Sequence, residues 1–572
     1  MNPTTLKSAA LSSIVKHTLQ TVSAIECEES RFRKIYPMFV NDIEFHENTK
    51  SMISEVRTLL MDIPLPLIDE YVELVMKIFC IELKNFCSIP GEYNIRYAIL
   101  LDIIPFYRLS TFSDKWIFIR SSLSYIWAEF LYKKWVECSK SEELKFKKLS
   151  LCAIPLSITG MFNFRDMFKN FIHLTSLKIL PISLSRFEKC SSNFVIELVS
   201  RYCPKLREFH LAYNGETLKN TESRIEDLVK CRNLVSLWLY DISPTTTVEN
   251  VDGLQKLLIE LKNLKCLFHK DLKLAILDPN DKISGTLGLE HLILRDDVFH
   301  DRDHKVILTT DEFVRLSKIC PATRTLKLIK PPPCIDLVTR ALPNLEILEM
   351  RKCDDVILSS LSRALLQKNL KNLKVLKLKK VFDMDYTHIS QLAHNCPNLE
   401  VLDISFSTIK ANGDLILPPQ QSSAFPHLRE LTMIPNCNST FFHMCSFGRC
   451  EYGIWGVGEK LTRYLLKGSH NLKSLHMHYN DSYYKPSSLF ILEMLESLNC
   501  LASLQLVSSL DMHCKIIHQM VTRCPMLKEL AAFGSWNFKK RINQNLPVQI
   551  NFKMYCECRV TKHFVDRDYI NN

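Results

Sequence analysis

Apolar residues recur along the chain in a short pattern, with two leucines three positions apart and a third apolar residue two positions later. The last two apolar positions alternate with variable ones, which predicts a short strand that buries one face. The pattern repeats about thirteen times, mostly at steps of 22 to 34 residues. Its copies begin at residues 174, 206, 234, 264, 289, 323, 345, 373, 399, 428, 472, 501 and 527.

A second pattern lies between these strands and predicts helices. Segments such as SSNFVIELVSRYC and TDEFVRLSKIC place apolar residues three and four positions apart and carry Ser, Thr or Asp near their start. Both features are typical of amphipathic helices. Each repeat therefore contains one helix and one strand. Neither element can bury its apolar face alone, so we expect the repeats to stack into a curved solenoid of the leucine-rich type.

Three stretches, HNCPNLEVLDIS, RYCPKLREFHLA and TRCPMLKELAAF, place a Cys-Pro step before the leucine core. This motif resembles the cysteine-containing leucine-rich repeat of F-box/leucine-rich proteins, and the resemblance covers roughly residues 144–535. It implies an α/β fold, a right-handed solenoid with one short parallel strand and one helix per repeat. We interpret Cys203, Cys396 and Cys524 as small buried residues at the helix ends, where Pro prevents continuation. Metal binding or redox sensing is the alternative.

The repeats divide the chain into three regions. Residues 1–140 carry no repeat and are predicted to be an all-α N-terminal region, with helical stretches such as LIDEYVELVMKIFCIELKNF. Residues 141–535 form the predicted solenoid, and one overlong step between repeats predicts an insertion at about 436–458. We expect residues 536–572 to cap the C-terminal end of the solenoid.

Composition and motifs disfavour several classes of protein. The 21 cysteines are scattered through a long chain whose start lacks a secretory signal pattern, so we expect free thiols in a reducing compartment, the cytoplasm or also the nucleus. No apolar run reaches the roughly 18 residues of a membrane helix. The net charge of +11 is mild and interspersed, which does not favour nucleic acid. No hydrolase, nucleotide-binding or zinc-peptidase motif is found, so we predict no enzyme activity and no cofactor.

One cluster in the insertion has residue types that bind zinc, namely Cys437, His443, Cys445 and Cys450. The familiar zinc spacing is two short pairs separated by a longer loop, and this cluster lacks it. We therefore predict no metal site there. The segment is interpreted as a loop that projects from the solenoid.

The variable strand residues face the predicted concave surface, where they form columns available to a protein partner. Trp238 and Tyr240 are candidate binding anchors, and partial burial against neighbouring repeats is the alternative. The basic majority of the columns suits an acidic or phosphorylated peptide, and an ordinary solvated face is the alternative. The predicted partner-binding residues are Glu208, His210, Trp238, Tyr240, Arg295, Lys327, Arg351, Lys377, Lys379 and Asp403.

The N-terminal region contains two segments that resemble adapter-binding motifs. Leu6, Ala10 and Ile14 lie along one helical stripe, which resembles the Elongin C-binding box of VHL-box and SOCS-box proteins. The later segment Ile63, Pro64, Leu65 and Pro66 is similar to the Leu-Pro cullin box of the same proteins. The chain departs from that family in having Ala where Cys is commonest, a gap of about fifty residues and a segment one residue short.

Two other interpretations of this region stay open. An F-box usually opens with Leu-Pro and ends near a Trp, and the stretches IPLPLIDEYVELVMKIF and LLDIIPFYRLSTFSDKW resemble its start. A plain core helix also gives the spacing of the stripe, because many amphipathic helices share it.

The resemblances imply a substrate-recognition subunit of a cullin-RING ubiquitin ligase. Its helical region would bind Elongin C or a Skp-type adapter together with a cullin, and its leucine-rich surface would bind the target protein. The first alternative is a leucine-rich-repeat interaction scaffold with no ubiquitin role, whose helices cap the first repeat. The second is a nucleic-acid or phospholipid binder that uses the basic columns.

Overall fold

The structure of the protein is a computed structural model that describes the chain in segments. The chain divides into two compact units, Met1–Ala275 and Ile276–Asn572. The described residues are 3–35, 47–85, 99–104, 108–113, 145–151, 168–179, 192–213, 225–241, 251–277, 283, 285–294, 308–329, 331, 335–351, 360–361, 370–381, 384–406, 409–410, 425–435, 459–478, 487–507, 514–533 and 551–555.

The first unit begins with three helices, of which the second and third pack against the first. They are α1 (Pro3–Ile35), α2 (Glu47–Met61) and α3 (Leu65–Asn85). The apolar stripe of α1, including Val15 and Val22, is buried in this packing. The buried hydroxyl of Tyr71 on α3 donates to Thr18 Oγ1 on α1 at 2.9 Å. Burial and this hydrogen bond together fix α3 against α1.

The rest of the first unit alternates parallel strands with helices. The strands pair in chain order. They are β1 (Thr111–Ser113), β2 (Lys148–Leu151), β3 (Ser176–Ile179), β4 (Glu208–Tyr213), β5 (Ser236–Asp241) and β6 (Cys266–Phe268). The helices are α4 (Ser192–Tyr202), a 3₁₀ helix (Ile225–Lys230), α5 (Val251–Glu260) and α6 (Leu272–Leu277).

The second unit repeats the same alternation. Its main-sheet strands are parallel and are β7 (His291–Leu294), β8 (Thr325–Ile329), β9 (Ile347–Arg351), β10 (Val375–Val381), β12 (Val401–Phe406), β14 (Glu430–Pro435), β15 (Ser474–His478), β16 (Ser503–Val507), β17 (Glu529–Phe533) and β18 (Asn551–Tyr555). A small parallel pair joins β11 (Met384–Asp385) to β13 (Ile409–Lys410). The helices are α7 (Thr310–Ile319), α8 (Ile335–Ala341), α9 (Tyr386–Asn395), α10 (Glu459–Leu466), α11 (Ser488–Leu495) and α12 (Cys514–Arg523).

The strand and helix order confirms the predicted α/β leucine-rich-repeat solenoid architecture in each unit. The series of strands is longer than the sequence pattern indicated, because β1 lies inside the region predicted to be all-α and β18 lies inside the predicted C-terminal cap. Three residues are too few to show an alternating pattern, so β1 carries no periodic signal of its own. The predicted insertion at 436–458 lies outside the described residues.

Consecutive repeats are joined by a shared backbone acceptor. The carbonyl of Glu346 accepts from Lys374 N at 2.8 Å and from Val375 N at 3.0 Å. The same two-donor arrangement recurs within both units at the carbonyls of Ser110, Lys147, Thr175, Arg207, Val235, Glu290, Arg324, Lys374, Glu400, Arg429, Lys473 and Ala502. Each strand therefore begins at a fixed position relative to the strand before it.

The leucine cores of the repeats are buried. Leu399, Leu402 and Ile404 have no exposed surface, and each such side chain contributes about 1.5–3 kcal/mol of burial free energy. The intervening residue Asp403 lies on the opposite face, as the two-residue period of a strand requires. The predicted core of the HNCPNLEVLDIS stretch is therefore confirmed.

The Cys-Pro cysteines are buried free thiols at the helix ends. Cys396 N closes helix α9 by donating to Leu392 O at 3.0 Å. Cys231 lies at the equivalent position in the repeat that follows Cys203. Its Sγ lies 3.8 Å from Val199 O and from Cys203 O, which are carbonyls of the preceding repeat. The interpretation of Cys203, Cys396 and Cys524 as small buried residues is confirmed, because all three are closed off from solvent. Cys524 Sγ also lies 3.9 Å from Leu495 O of the preceding repeat.

The residue before the first core leucine adds a second contact between repeats. Asn398 Nδ2 donates to Lys371 O at 2.9 Å, and Asn372 Nδ2 donates to Pro343 O at 3.2 Å. Asn233, Asn263 and Asn471 make the same kind of bond to the preceding repeat. The Asn of the Cys-Pro-Asn-Leu motif therefore has a structural role of its own.

The buried thiols are expected to resist alkylation in the folded protein. Burial raises the pKa of Cys320 and Cys396 to about 12, so at pH 8 only about one molecule in 10⁴ carries the reactive thiolate. Cys27 and Cys500 are exposed. A timed iodoacetamide pulse with peptide mass spectrometry is expected to label the exposed pair at least a hundredfold faster. Unfolding in guanidinium is the control, and equal rates in the native protein would contradict the assignment.

Replacement of Asn398 tests the contact between repeats. Asn398→Ala removes an exposed hydrogen bond, so we expect a loss of about 0.5–1 kcal/mol in the free energy of unfolding, measured in urea. Asn344 occupies the same motif position and makes no side-chain hydrogen bond to any described residue. Asn344→Ala is therefore the matched control with an expected loss near zero, and similar losses in both variants would show that the bond does not stabilise the stack.

Candidate functional site

An apolar groove lies on the helical part of the first unit, between α1, the end of α2 and the start of α3. Its volume is about 570 Å³. Its apolar lining combines residues from both sequence segments predicted to bind an adapter. The lining residues are Ala10, Leu11, Ile14, His17, Thr18, Thr21, Val56, Leu59, Leu60, Asp62, Ile63, Pro64 and Leu67.

Two apolar stripes on α1 explain why the groove is open. Leu11 and Val15 point into the helical core and are buried, whereas Ala10 and Ile14 remain exposed, Ile14 to 38%. Across the groove, Leu59 of α2 is 65% exposed. An isoleucine and a leucine left open beside a small alanine form a surface that an apolar side chain of a partner helix can enter.

Arg108 holds the turn that forms one wall of the groove. Its guanidinium donates to Leu60 O at 3.1 Å, to Met61 O at 2.7 Å and to Ile63 O at 2.6 Å. The last carbonyls of a helix have no partners within the helix, and a cation there also complements the helix dipole. Arg108 therefore fixes the end of α2 and the turn before Pro64.

Asp69 ties the helices to the first strand. Its carboxylate accepts from Ser110 N at 2.9 Å, from Ser110 Oγ at 2.5 Å and from Thr111 N at 3.2 Å. Val72 and Met76 on the same helix are buried. The three helices thus form a fixed module against β1 within the first unit, so the groove has a defined position relative to the strands that follow.

The predicted adapter residues lie at different places in the structure. Ala10, Ile14, Ile63 and Pro64 lie together in the groove. Leu65 is exposed at the first position of α3. Leu6 and Pro66 belong to α1 and α3, but their side chains lie outside the description. Arg108 and Leu59 were missed, because neither carries a local motif.

The strand face of the first unit carries a row of stacked rings. His210, Trp238 and Phe268 occupy matching positions on β4, β5 and β6. The ring centroids are 5.3 Å apart at both steps, and Tyr240 lies 5.9 Å from Trp238. His210, Tyr240 and Phe268 are buried. The rings therefore pack mainly on one another, which matches the burial alternative for Tyr240, and Trp238 keeps the more accessible surface.

Phe268 was missed as part of this row. The sequence LKCLFH places it where other repeats have a variable residue, and an apolar residue there gives no sign of facing away from the core. Only the register with Trp238 reveals its position.

Glu208 organises the polar edge of this row. Its carboxylate accepts from Ser176 Oγ at 2.7 Å and lies 3.0 Å from His210 Nε2 and 3.2 Å from Lys178 Nζ. The pKa of Glu208 lies well below its usual value, chiefly because of its contact with His210, with Ser176 and Lys178 adding to the effect against the opposing effect of burial. Burial lowers the pKa of His210 despite the neighbouring carboxylate, so its ring is neutral at pH 7.

The strand face of the second unit carries paired charges. Lys327 Nζ lies 3.4 Å from Glu349 Oε2, and Arg351 Nε lies 3.3 Å from Glu349 Oε1. Lys379 Nζ lies 2.5 Å from Asp403 Oδ2. The predicted partner-binding residues among them, together with Lys377, lie on the neighbouring strands β8, β9, β10 and β12. Arg295 lies outside the described residues.

Neither a metal centre nor a membrane span is found in the part of the chain that the structure describes. No group of three or more His, Cys, Asp or Glu residues there could hold a metal ion. The cluster at Cys437, His443, Cys445 and Cys450 lies outside that part. None of the described helices is long and apolar enough to cross a bilayer.

No protein-family model matches the chain, and no curated protein matches it. Solved structures that are similar at low identity include the following three. An internalin (inlF) from Listeria monocytogenes is 14% identical with a TM-score of 0.25, and the match covers 72% of this chain and 86% of that one. The Rad7 and Elc1 complex in yeast matches at 13% identity and a TM-score of 0.36, over 93% and 96% of the two chains.

A TLR13–ssRNA13 complex is 14% identical with a TM-score of 0.31, over 69% of this chain and 58% of that one. These scores are low for all three structures, so the fold assignment rests on the strand order, the buried leucine cores and the shared carbonyls of the chain itself.

The contacts of Glu208 predict a pH dependence of stability. The folded state holds the carboxyl pKa below its unfolded value, so its stabilisation is present above about pH 4.5 and is lost as the pH falls toward the folded pKa. Glu208→Gln is therefore expected to lower the midpoint of thermal unfolding at pH 7 and to have a shrinking effect below pH 4.5. Scanning calorimetry from pH 3 to pH 7 measures the difference.

The control for this variant is Glu493→Gln. Glu493 is an exposed surface carboxylate paired with Arg463, and such exposed pairs contribute little. A difference for Glu208→Gln that is as small as that of the control, or that stays constant below pH 4.5, would contradict the assignment.

Proposed function

We propose that the protein is a non-catalytic substrate-recognition subunit of a cullin-RING ubiquitin ligase. The helical groove binds Elongin C or a Skp-type adapter together with a cullin, and the strand face of the leucine-rich repeats binds the target protein. The mechanism is positioning, because holding a target beside the ubiquitin-loaded enzyme raises the effective concentration of its lysines.

The observation that carries the proposal is the groove itself. Ala10 and Ile14 are separated from Ile63 and Pro64 by about fifty residues of sequence, yet all four line the same apolar groove. Two segments that resemble parts of one adapter-binding unit thus meet at one surface. The exposed side chain of Leu59 extends that surface, and exposed apolar side chains that lie together are typical of interaction sites.

The fixed attachment of the helices supports the same proposal. Arg108, which precedes β1, binds the turn before α3. Asp69 of α3 binds Ser110, the residue before β1. A receptor that positions a target requires a stiff adapter site, since a loose one would lower the effective concentration.

A second function is favoured by a different observation. Asp69 binds the first strand, and Val72 and Met76 of the same helix are buried, which is also the task of an N-terminal cap on a repeat stack. The protein is then a leucine-rich-repeat interaction scaffold with no ubiquitin role. The two functions differ in whether the groove binds an adapter.

Leu59→Asp tests the groove. A charge at its exposed edge must lose its water when a helix binds, so we expect the affinity for the adapter to fall at least about tenfold. Purified full-length chain is tested against Elongin C, a Skp-type adapter and a panel of cullins, by pull-down and then by calorimetry.

Leu489→Asp is the matched control. Leu489 is 63% exposed on α11 of the second unit, so the change has the same chemistry away from the groove. Adapter binding that survives Leu489→Asp and is lost with Leu59→Asp supports the proposal. If the wild-type chain binds no adapter and no cullin, the ubiquitin-ligase proposal is wrong.

A further inference from the structure

Strands β8, β9, β10 and β12 carry an uneven set of charges on the face opposite the leucine core. Lys327, Lys377 and Asp403 each lie between two buried apolar residues of a strand, so their side chains occupy that face. Register places Lys327 beside Glu349, Glu349 beside Lys377 and Lys377 beside Asp403. Arg351 and Lys379 lie two residues further along their strands, on the same face. Four cations therefore share this face with two carboxylates.

Both carboxylates contact cations other than Lys377. Glu349 is only 7% exposed and contacts both Lys327 and Arg351. Asp403 contacts Lys379. Both carboxylates are therefore occupied by cations other than Lys377.

Lys377 is the cation left over at the centre. It lies between the two carboxylates in the strand order, yet it has no ion pair or hydrogen bond with any described residue. Its side chain is partly buried, so solvent screens its charge less than that of an exposed lysine. An anionic group of a ligand would find an unneutralised ammonium there.

We propose that this face, defined by Lys327, Arg351, Lys377 and Lys379, binds an anionic segment of the target protein, with a carboxylate or phosphate group on Lys377. The inference rests on the proposed function in one respect, since it takes the strand face as the target-binding surface. Charge complementarity selects the occupant, because a neutral or basic segment would leave Lys377 unpaired in the interface.

The strand spacing sets the spacing of the anionic groups. Strands lie about 4.8 Å apart, so Lys327 and Lys377, two strands apart, are separated by about 10 Å across the sheet. An extended polyproline-type segment advances about 9.3 Å in three residues and returns to the same side. We therefore expect acidic groups at every third position to match the face.

The test uses three fluorescein-labelled peptides of twelve residues that differ only in the residue at every third position. One carries glutamate, a second phosphoserine and a third glutamine, and fluorescence anisotropy measures their binding to the full chain. We expect the glutamate or the phosphoserine peptide to bind and the glutamine peptide to fail. Binding of both anionic peptides identifies charge as the determinant. Binding of the phosphoserine peptide alone identifies phosphate as the determinant.

Lys377→Glu is expected to weaken anionic peptide binding about tenfold or more, equivalent to about 1.4 kcal/mol. Lys371 is exposed in the turn before β10, and Lys371→Glu changes the net charge by the same amount outside the face. Lys377→Gln, a milder change, keeps the test valid if the charge reversal alters folding, which circular dichroism checks.

Four results would overturn the inference. These are no binding of any peptide, equal binding of the glutamine peptide, equal losses in Lys371→Glu and Lys377→Glu, and Lys377-dependent binding of single-stranded RNA or phosphatidylserine vesicles without peptide binding. Adapter binding by Lys377→Glu is measured in parallel. It is expected to be unchanged, so a failure of this inference is distinguishable from a failure of the proposed function.

Discussion

One backbone carbonyl in each repeat fixes the strand that follows. Because Glu346 O accepts from both Lys374 N and Val375 N, the next strand can start at only one position, and a slip of one residue would turn its leucines away from the core. Repetition of this bond within each unit places equivalent residues side by side. The ring row at Trp238 and the charge row at Lys377 are both consequences of this register, since neither forms from residues adjacent in sequence.

The same constraint explains how function can be separated from stability. The apolar positions, the helix-ending cysteines and the asparagines between repeats are all engaged in stacking, so the alternate strand positions are left to vary. At the N-terminal end the stack needs cover for its first strand, and α3 supplies it through Asp69. The groove between α1, the end of α2 and the start of α3 is not required for that cover, which leaves it available for a partner.

Periodicity predicted the parts of the molecule that repeat. The pattern at residues 399–404 gave the strand, its buried side and the place of Asp403, because these depend on alternation alone. Contacts between distant segments were not predictable in this way. Arg108 meets the end of α2 across more than forty residues, and the sharing of Glu349 by Lys327 and Arg351 depends on register. A sequence count of charges therefore indicated a basic face but could not identify which cation is left unpaired.

The acidic residues of the charged face strengthen its selectivity for an anion. Cations on adjacent strands repel one another when they lie side by side, and a face with four cations alone would also attract any polyanion. Glu349 and Asp403 hold Lys327, Arg351 and Lys379 in place, so less side-chain freedom is lost when a ligand binds. They also repel a ligand whose anionic groups fall opposite them. Lys377 is then the position at which an incoming anion gains a partner without displacing one.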